Sequence, residues 1–239
     1  LDSPFVAVVD DAKIPILGEI ELAYQCSLGR LAAITGTNGK TTTTALTGEI
    51  LKAKYEETFV VGNIGDPYTS RVLEMTDSVT VAEASSFQLE TIMDFRPNVS
   101  AILNITPDHL NRHGTMENYT RIKECITLNQ TEDDSVVLNY DDPVLREFGQ
   151  DPDLKPKVTW FSSREKLADG FCMSGDNIVY CQKGRETILV NVRDMKLLGR
   201  HNYENVMAAA AIGFLMGVAL ADIGRVAENF NPVEHRIEF

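Results

Sequence analysis

This chain of 239 residues predicts an α/β fold of the P-loop type, a mainly parallel sheet with helices on both faces and a small antiparallel addition at one edge. Three observations carry that prediction. Up to about residue 157, short apolar runs of strand length alternate with stretches of helical periodicity, as in a parallel sheet covered on both faces. One of those runs feeds a glycine-bracketed turn ending in Gly39-Lys40-Thr41, with a helical pattern behind it. From about residue 158 the texture changes to short strands separated by Gly, Asn and Asp turns, which reads as an antiparallel edge.

The elements follow in order. Residues 5–9 are an apolar lead-in, and 19–25 form a short helix after Ile14-Pro15-Ile16-Leu17-Gly18. Residues 31–35 are the first clear strand and 41–54 its helix, with Ala45, Leu46, Glu49, Ile50 and Ala53 at helical spacing. Phe59-Val60-Val61 leads into the turn Gly62-Asn63-Ile64-Gly65. Residues 78–82 are a strand closed by Glu83, and 99–105 are another. A helix over 116–128 precedes a buried strand at 135–139, closed by Tyr140-Asp141-Asp142-Pro143. Residues 158–161, 171–173, 178–181 and 187–190 make the edge addition, and helices return over 202–216 and 221–229.

Composition removes several function classes. Hydrophobic residues at 44% and charged residues at 24% describe an ordinary soluble domain. No apolar run approaches the about 18–20 residues that span a bilayer, so membrane insertion is not expected. A net charge of −13 argues against nucleic-acid or anionic-membrane surfaces. Cys26, Cys125, Cys172 and Cys181 lie far apart with no C-x-x-C spacing, which suits reduced thiols in a cytoplasmic protein better than bridges or zinc. A monomer is expected. The start, Leu1-Asp2-Ser3-Pro4, is neither a methionine nor a signal peptide, so the chain reads as a piece of a longer protein.

The chemistry concentrates at Gly36-Thr37-Asn38-Gly39-Lys40-Thr41-Thr42. Both glycines let successive N–H groups turn inward, and the helix behind adds its unpaired N–H groups and the positive end of its dipole. Lys40 can then reach a β- or γ-phosphate, and the Thr41 hydroxyl can ligate Mg²⁺. The loop is a shortened G-x-x-G-K-T; in the usual G-x-x-x-x-G-K-[ST] spacing the first glycine would fall on Ile34. A glycine-rich βα turn with a chance lysine is the competing reading, and the strand before with the helix after favours a nucleoside triphosphate cradle.

Three further polar clusters follow strand ends, where ligands of open α/β sheets sit. Glu83 closes a strand and is placed to hold Mg²⁺ opposite Thr41; the serines behind it, Ser85 and Ser86, are also explained by a helix cap with Gln88 or Glu90. His109, beside Asp108, is either a metal or phosphate ligand or a hydrogen-bonded surface histidine, and His113 is open to the latter reading too. In Leu198-Gly199-Arg200-His201-Asn202, Gly199 suits a turn and Asn202 an N-cap, and Asn63 on its own could be only a turn residue.

Taken in order, residues 35–43, 62–65, 83–90, 103–113, Tyr119-x-x-x-Lys123, 199–202 and His235-Arg236 resemble the motifs of the Mur ligases of peptidoglycan synthesis. The phrases Glu83-Ala84-Ser85-Ser86-Phe87-Gln88-Leu89-Glu90 and Leu17-Gly18-Glu19-Ile20-Glu21-Leu22 most resemble members that add D-glutamate. The resemblance implies a three-domain enzyme. Residues 1–16 would be the tail of the N-terminal UDP-binding domain and its linker, and 17–239 the central ATPase domain. The C-terminal amino-acid-binding domain would be absent, so this piece by itself should form little product. The implied substrates are ATP, UDP-N-acetylmuramoyl-L-alanine and D-glutamate, joined through an acyl phosphate with two Mg²⁺ ions.

By matched position, the resemblance gives Gly36, Thr37, Asn38, Gly39, Lys40, Thr41 and Thr42 to the triphosphate, Asn202 to adenine, and Arg236 to a phosphate or ribose contact. Thr41 and Glu83 would hold the first Mg²⁺, and His109 the second. Lys123 would be carbamylated by CO₂ and join the metal ligands, while Asn63 and Ser85 would face phosphate and substrate. Lys40, Lys123 and His109 would be the catalytic set. Two other readings stay open: a related ligase with the same ATPase core, such as another Mur ligase or a folylpolyglutamate synthase-like enzyme, and a P-loop nucleotide-binding module without ligase chemistry. The second leaves Glu83, His109 and Lys123 without a joint use.

Overall fold

The computed structural model of the protein describes residues 3–231. Two short helices, α1 (Pro4–Asp11) and α2 (Glu19–Cys26), precede the first strand, β1 (Arg30–Thr35). Then follow α3 (Lys40–Lys52), β2 (Thr58–Gly62), β3 (Val79–Glu83), α4 (Ser86–Leu89), β4 (Val99–Ile102), α5 (Leu110–His113) and α6 (Met116–Glu124). After these come β5 (Ser135–Asn139), α7 (Pro143–Phe148), β6 (Lys157–Ser162), β7 (Gly170–Ser174), β8 (Asn177–Gln182), β9 (Arg185–Asn191), α8 (Arg200–Leu215) and α9 (Leu220–Asn229).

The strands form one sheet in the order β2-β3-β1-β4-β5-β6-β7-β8-β9. Every pairing from β2 to β7 is parallel, and β7–β8 and β8–β9 are antiparallel. The expected α/β fold and antiparallel edge are therefore present, with one correction. Residues 158–161, expected within the antiparallel addition, lie in β6, which pairs in parallel with β5 from Ser135↔Lys157 to Asn139↔Phe161. The reason is α7: a helix between β5 and β6 returns the chain to its starting edge, as a parallel pair requires.

Alternation along β1 shows how both faces are covered. Leu31 and Ala33 pack with Ile20, Ala23, Tyr119 and Ile122 on one face. Ala32 and Ile34 pack with Leu46, Ile50, Ala208 and Ala209 on the other. Side chains of a strand alternate in direction, so a strand apolar at every position needs a helix layer on each side. Each fully buried Leu or Ile contributes about 1.5–3 kcal/mol.

Two boundaries differ from expectation in ways that matter to the site. β4 stops at Ile102 instead of 105, because Asn104 turns to bond the glycine loop and the Ile105 N–H donates to Asp142 Oδ2 at 2.8 Å. α8 begins at Arg200 behind Gly199, so Asn202 lies inside its first turn and is not the N-cap; its amide nitrogen Nδ2 donates back to the Leu198 carbonyl at 2.8 Å. The carboxyl ends of β1 to β5 share one edge. There β1 leads away toward β2 and β4 toward β5 on the opposite side, the switch point where such sheets bind ligands.

Candidate phosphate and metal site

The loop between β1 and α3 needs its glycines. Gly39 has φ 85°, and a Cβ there would lie 2.2 Å from Asn205 Oδ1. No other L-residue meets both demands without strain. The loop is also fastened from outside. Asn104 Oδ1 accepts the N–H groups of Thr37 (3.1 Å) and Asn38 (2.8 Å), and its Nδ2 donates to the Asn38 carbonyl at 3.0 Å. The Thr37 hydroxyl lies 3.2 Å from the Tyr119 hydroxyl on α6. α3 then presents its first backbone N–H groups, which lack partners within the helix.

Two lysines meet at this loop. Lys40 Nζ donates to the carbonyls of Gly36 and Thr37, both at 2.9 Å. Lys123 Nζ reaches across from α6 and donates to the same Gly36 carbonyl at 2.8 Å, lying 4.7 Å from the centre of the Tyr119 ring. Lys123 is 1% exposed. Burial, reinforced by the Lys40 charge and only partly opposed by Asp108, pushes its pKa down to about 7. This amine therefore loses its proton far more readily than an ordinary lysine.

Glu83, at the tip of β3, is fully buried. It accepts from the Thr41 hydroxyl at 2.9 Å and from Asn63 Nδ2 at 3.0 Å, both neutral donors. The first distance bears on magnesium. Two adjacent ligands of an octahedral Mg²⁺ with bonds of about 2.0–2.1 Å stand about 2.9 Å apart, so Thr41 and Glu83 already have the spacing of neighbouring ligands. Among the described residues no group of three or more His, Cys, Asp or Glu side chains is arranged to hold a metal. A cation here would complete its shell with water and phosphate oxygens, the usual manner for Mg²⁺.

A cavity of about 120 Å³ opens beside these groups, lined by Lys40, Asn63, Ser85, Phe87, His109 and Lys123 among others. Ser85 caps α4: its hydroxyl accepts the Gln88 N–H at 3.3 Å, and Gln88 closes the box by accepting the Ser85 N–H at 3.0 Å. His109 sits at the mouth with φ 50° and a half-exposed side chain, 3.5 Å from Asp108 Oδ2.

Lys40, Thr41, Asn63, Glu83, Ser85, His109 and Lys123 thus come together from five separate stretches of chain. Thr42 is half-buried one residue further into α3. Asn202 lies one step removed: its Oδ1 accepts from Asn205 Nδ2 at 3.3 Å, and Asn205 abuts Gly39. Arg236 and His235 fall outside the described residues. Asn104, Tyr119 and Asn205 received no task from the residue pattern, although Asn104 and Tyr119 lie in the strings quoted for the resemblance.

Residues 34–213 match the Mur ligase middle domain. The chain belongs to the Mur ligase family. Over 240 aligned residues it is 52% identical to the UDP-N-acetylmuramoylalanine–D-glutamate ligase of Lachnoclostridium phytofermentans, covering 100% of this chain and 52% of that protein. It is 54% identical over 240 residues to the protein of the same name from Lachnospira eligens, covering 100% of this chain and 53% of that one. The chain spans about half the length of the curated relatives it matches. The solved UDP-N-acetylmuramate:L-alanyl-gamma-D-glutamyl-meso-diaminopimelate ligase of Neisseria meningitides superposes with a TM-score of 0.71 at 18% identity, over 96% of this chain and 75% of that chain. That likeness is one of fold. The expected Mur ligase resemblance is borne out, and among the described residues no helix is long and apolar enough to cross a membrane.

Proposed function

We propose that residues 17–239 are the central ATP-binding domain of an ATP-dependent Mur ligase that adds D-glutamate to UDP-N-acetylmuramoyl-L-alanine. In this reading residues 1–16 are the tail of an N-terminal UDP-binding domain and its linker, and the full reaction needs the further half that the matched relatives contain. The names of those relatives support the choice of D-glutamate. The enzyme would be a cytoplasmic monomer. One observation carries the chemistry: Lys40 and Lys123, from two helices, converge on the Gly36 carbonyl beside the Thr41–Glu83 pair.

The roles follow from residue chemistry. The α3 N-terminus and Lys40 grip the β- and γ-phosphates, as a cation and a set of N–H dipoles can. Thr41 and Glu83 would hold one Mg²⁺, and His109 with Lys123 a second. Bound there, Mg²⁺ supplies charge neutralisation between the γ-phosphate and the substrate carboxylate. Lys123 suits this role as a carbamate: its uncharged amine would form an N–C bond to CO₂ and release one proton, leaving an anion with two oxygen donors. Asn63 and Ser85 face the carboxylate being phosphorylated. Asn202, with Asn205 beside it, lies toward adenine, and Arg236 toward ribose or phosphate. In-line transfer between two anions gains more from such placed charges than from proton transfer.

An oxygen-isotope experiment on the full-length ligase tests the proposal. With ¹⁸O in the L-alanyl carboxylate of UDP-N-acetylmuramoyl-L-alanine, one ¹⁸O should appear in the released phosphate, and only when D-glutamate is supplied for turnover. Unlabelled phosphate, or equal turnover with another amino acid, would overturn the reading.

A further inference from the structure

Phe87 stands on α4 with its side chain 43% exposed, yet it is held on three sides. The ring lies 5.4 Å from the His113 ring in a stacked pose at 19°. It lies 5.1 Å from the His109 ring, and the Arg112 guanidinium sits 5.5 Å over it. His113 is itself locked. Its Nε2 lies 3.0 Å from the Ser86 hydroxyl, its Nδ1 lies 3.2 Å from Glu90 Oε1, and its ring lies 5.2 Å from that of Tyr119. Glu90 also accepts from Arg112 Nη2 at 2.8 Å.

His109 has none of that anchoring. It is half-exposed, occupies left-handed backbone, and its polar neighbour Asp108 stands 3.5 Å away, beyond a good hydrogen bond. An imidazole so placed would exchange among rotamers unless packing restricts it. Packing against the Phe87 ring is that restriction. An apolar ring also makes no claim on the imidazole nitrogens, and so leaves them available to a ligand.

We infer that Phe87, clamped from behind by the buried His113, is a positioning residue that holds His109 toward the cavity shared with Lys40, Asn63 and Lys123. The inference rests on the reading of His109 as a ligand of the second cation. Ser86 sets His113 through Nε2, His113 sets Phe87, and Phe87 sets His109.

Mn²⁺ binding to the full-length ligase, followed by electron paramagnetic resonance with a non-hydrolysable ATP analogue, tests this. Phe87→Ala should weaken the second Mn²⁺ by about tenfold, the scale of loss for an outer-shell partner of a metal ligand. Phe87→Tyr keeps the ring and should stay within about twofold of the parent by the same measure. The double variant with His109→Ala should bind no more weakly than His109→Ala alone, since both act through one group. Phe87→Ala removes a ring that is more than half buried, so its urea midpoint should fall while the protein stays folded under the binding conditions, and the Mn²⁺ comparison is made there. Parental Mn²⁺ binding by Phe87→Ala alongside weakened binding by His109→Ala would end the positioning role and leave the cation reading standing. Unchanged binding by His109→Ala would end both.

Discussion

Lys40 and Lys123 donate to a single oxygen, the carbonyl of Gly36, at 2.9 and 2.8 Å. Burial of Lys123 together with the neighbouring Lys40 charge makes one of the two amines give up its proton readily. Lys40, half-buried, donates to the Thr37 carbonyl as well, at 2.9 Å. The proposed division of these two lysines into an electrostatic clamp and a nucleophilic amine rests on that difference in surroundings.

The first consequence concerns stability. In the unfolded chain Lys123 should hold its proton to a pKa of about 10.4, against about 7 in the folded protein. Between those values the unfolded state binds the extra proton, so stability should rise with pH across that window. Urea midpoints in CO₂-free buffer should show the parent gaining on Lys123→Met from pH 6 to pH 10. A constant difference between the two would refute the assignment.

The second concerns CO₂. With ¹³C-bicarbonate at pH 8, a carbamate resonance should appear in the parent and be missing from Lys123→Ala. In the full-length ligase, Lys123→Ala should lose activity by about 10²–10³-fold, the scale for removing a charge-stabilising group, and short-chain carboxylates should partly restore it. Full activity without rescue would sink the carbamate reading.

The third concerns the loop. Gly39→Ala places a methyl group against Asn205 on left-handed backbone. Stability should fall by about 1–2 kcal/mol from the backbone term alone. Nucleotide affinity should fall with it, since the α3 N-terminus shifts. Chemical denaturation with calorimetry checks both, and an unperturbed variant would show that the loop tolerates a side chain.

Much of this was legible in residue order. The parallel core follows from apolar runs alternating with helical periodicity, and the glycine loop from Gly36 and Gly39 ahead of Lys40-Thr41. Glu83 stood out because a carboxylate ended an apolar strand. Other contacts left no local trace. Asn205 lies inside an alanine-rich helix, where an asparagine looks like a surface residue, and only the close approach of α8 to Gly39 gives it meaning. Asn104 holds Thr37 and Asn38 across 66–67 residues of sequence, a distance that no periodicity reports. Asn202 suits a cap by residue type, but Gly199 occupies that position and places Asn202 in the first turn. Strand direction at β6 depended on α7, a helix too short to register by its pattern.

A fourth prediction lies away from the site. Glu21 is fully buried and accepts the N–H groups of Met93 (2.8 Å), Asp94 (2.9 Å) and Phe95 (3.1 Å). Burial raises its pKa, but these bonds and one from Gln25 outweigh that and hold it below the usual glutamate value. A carboxyl depressed by folding contributes stability above its unfolded pKa and loses it as pH falls through the folded one. Glu21→Gln should cost about 1.5–3 kcal/mol at pH 7, the range for hydrogen bonds to a charged group, and the cost should shrink toward pH 3. Equal cost at both pH values would show that charge plays no part.

The central claim is that Lys40 and the glycine loop hold the triphosphate. Calorimetric titration of Mg·ATP into the full-length ligase and its Lys40→Ala variant tests it most directly. The parent should bind with measurable heat and the variant should show none at the same concentrations. Matching isotherms for the two proteins would contradict the claim.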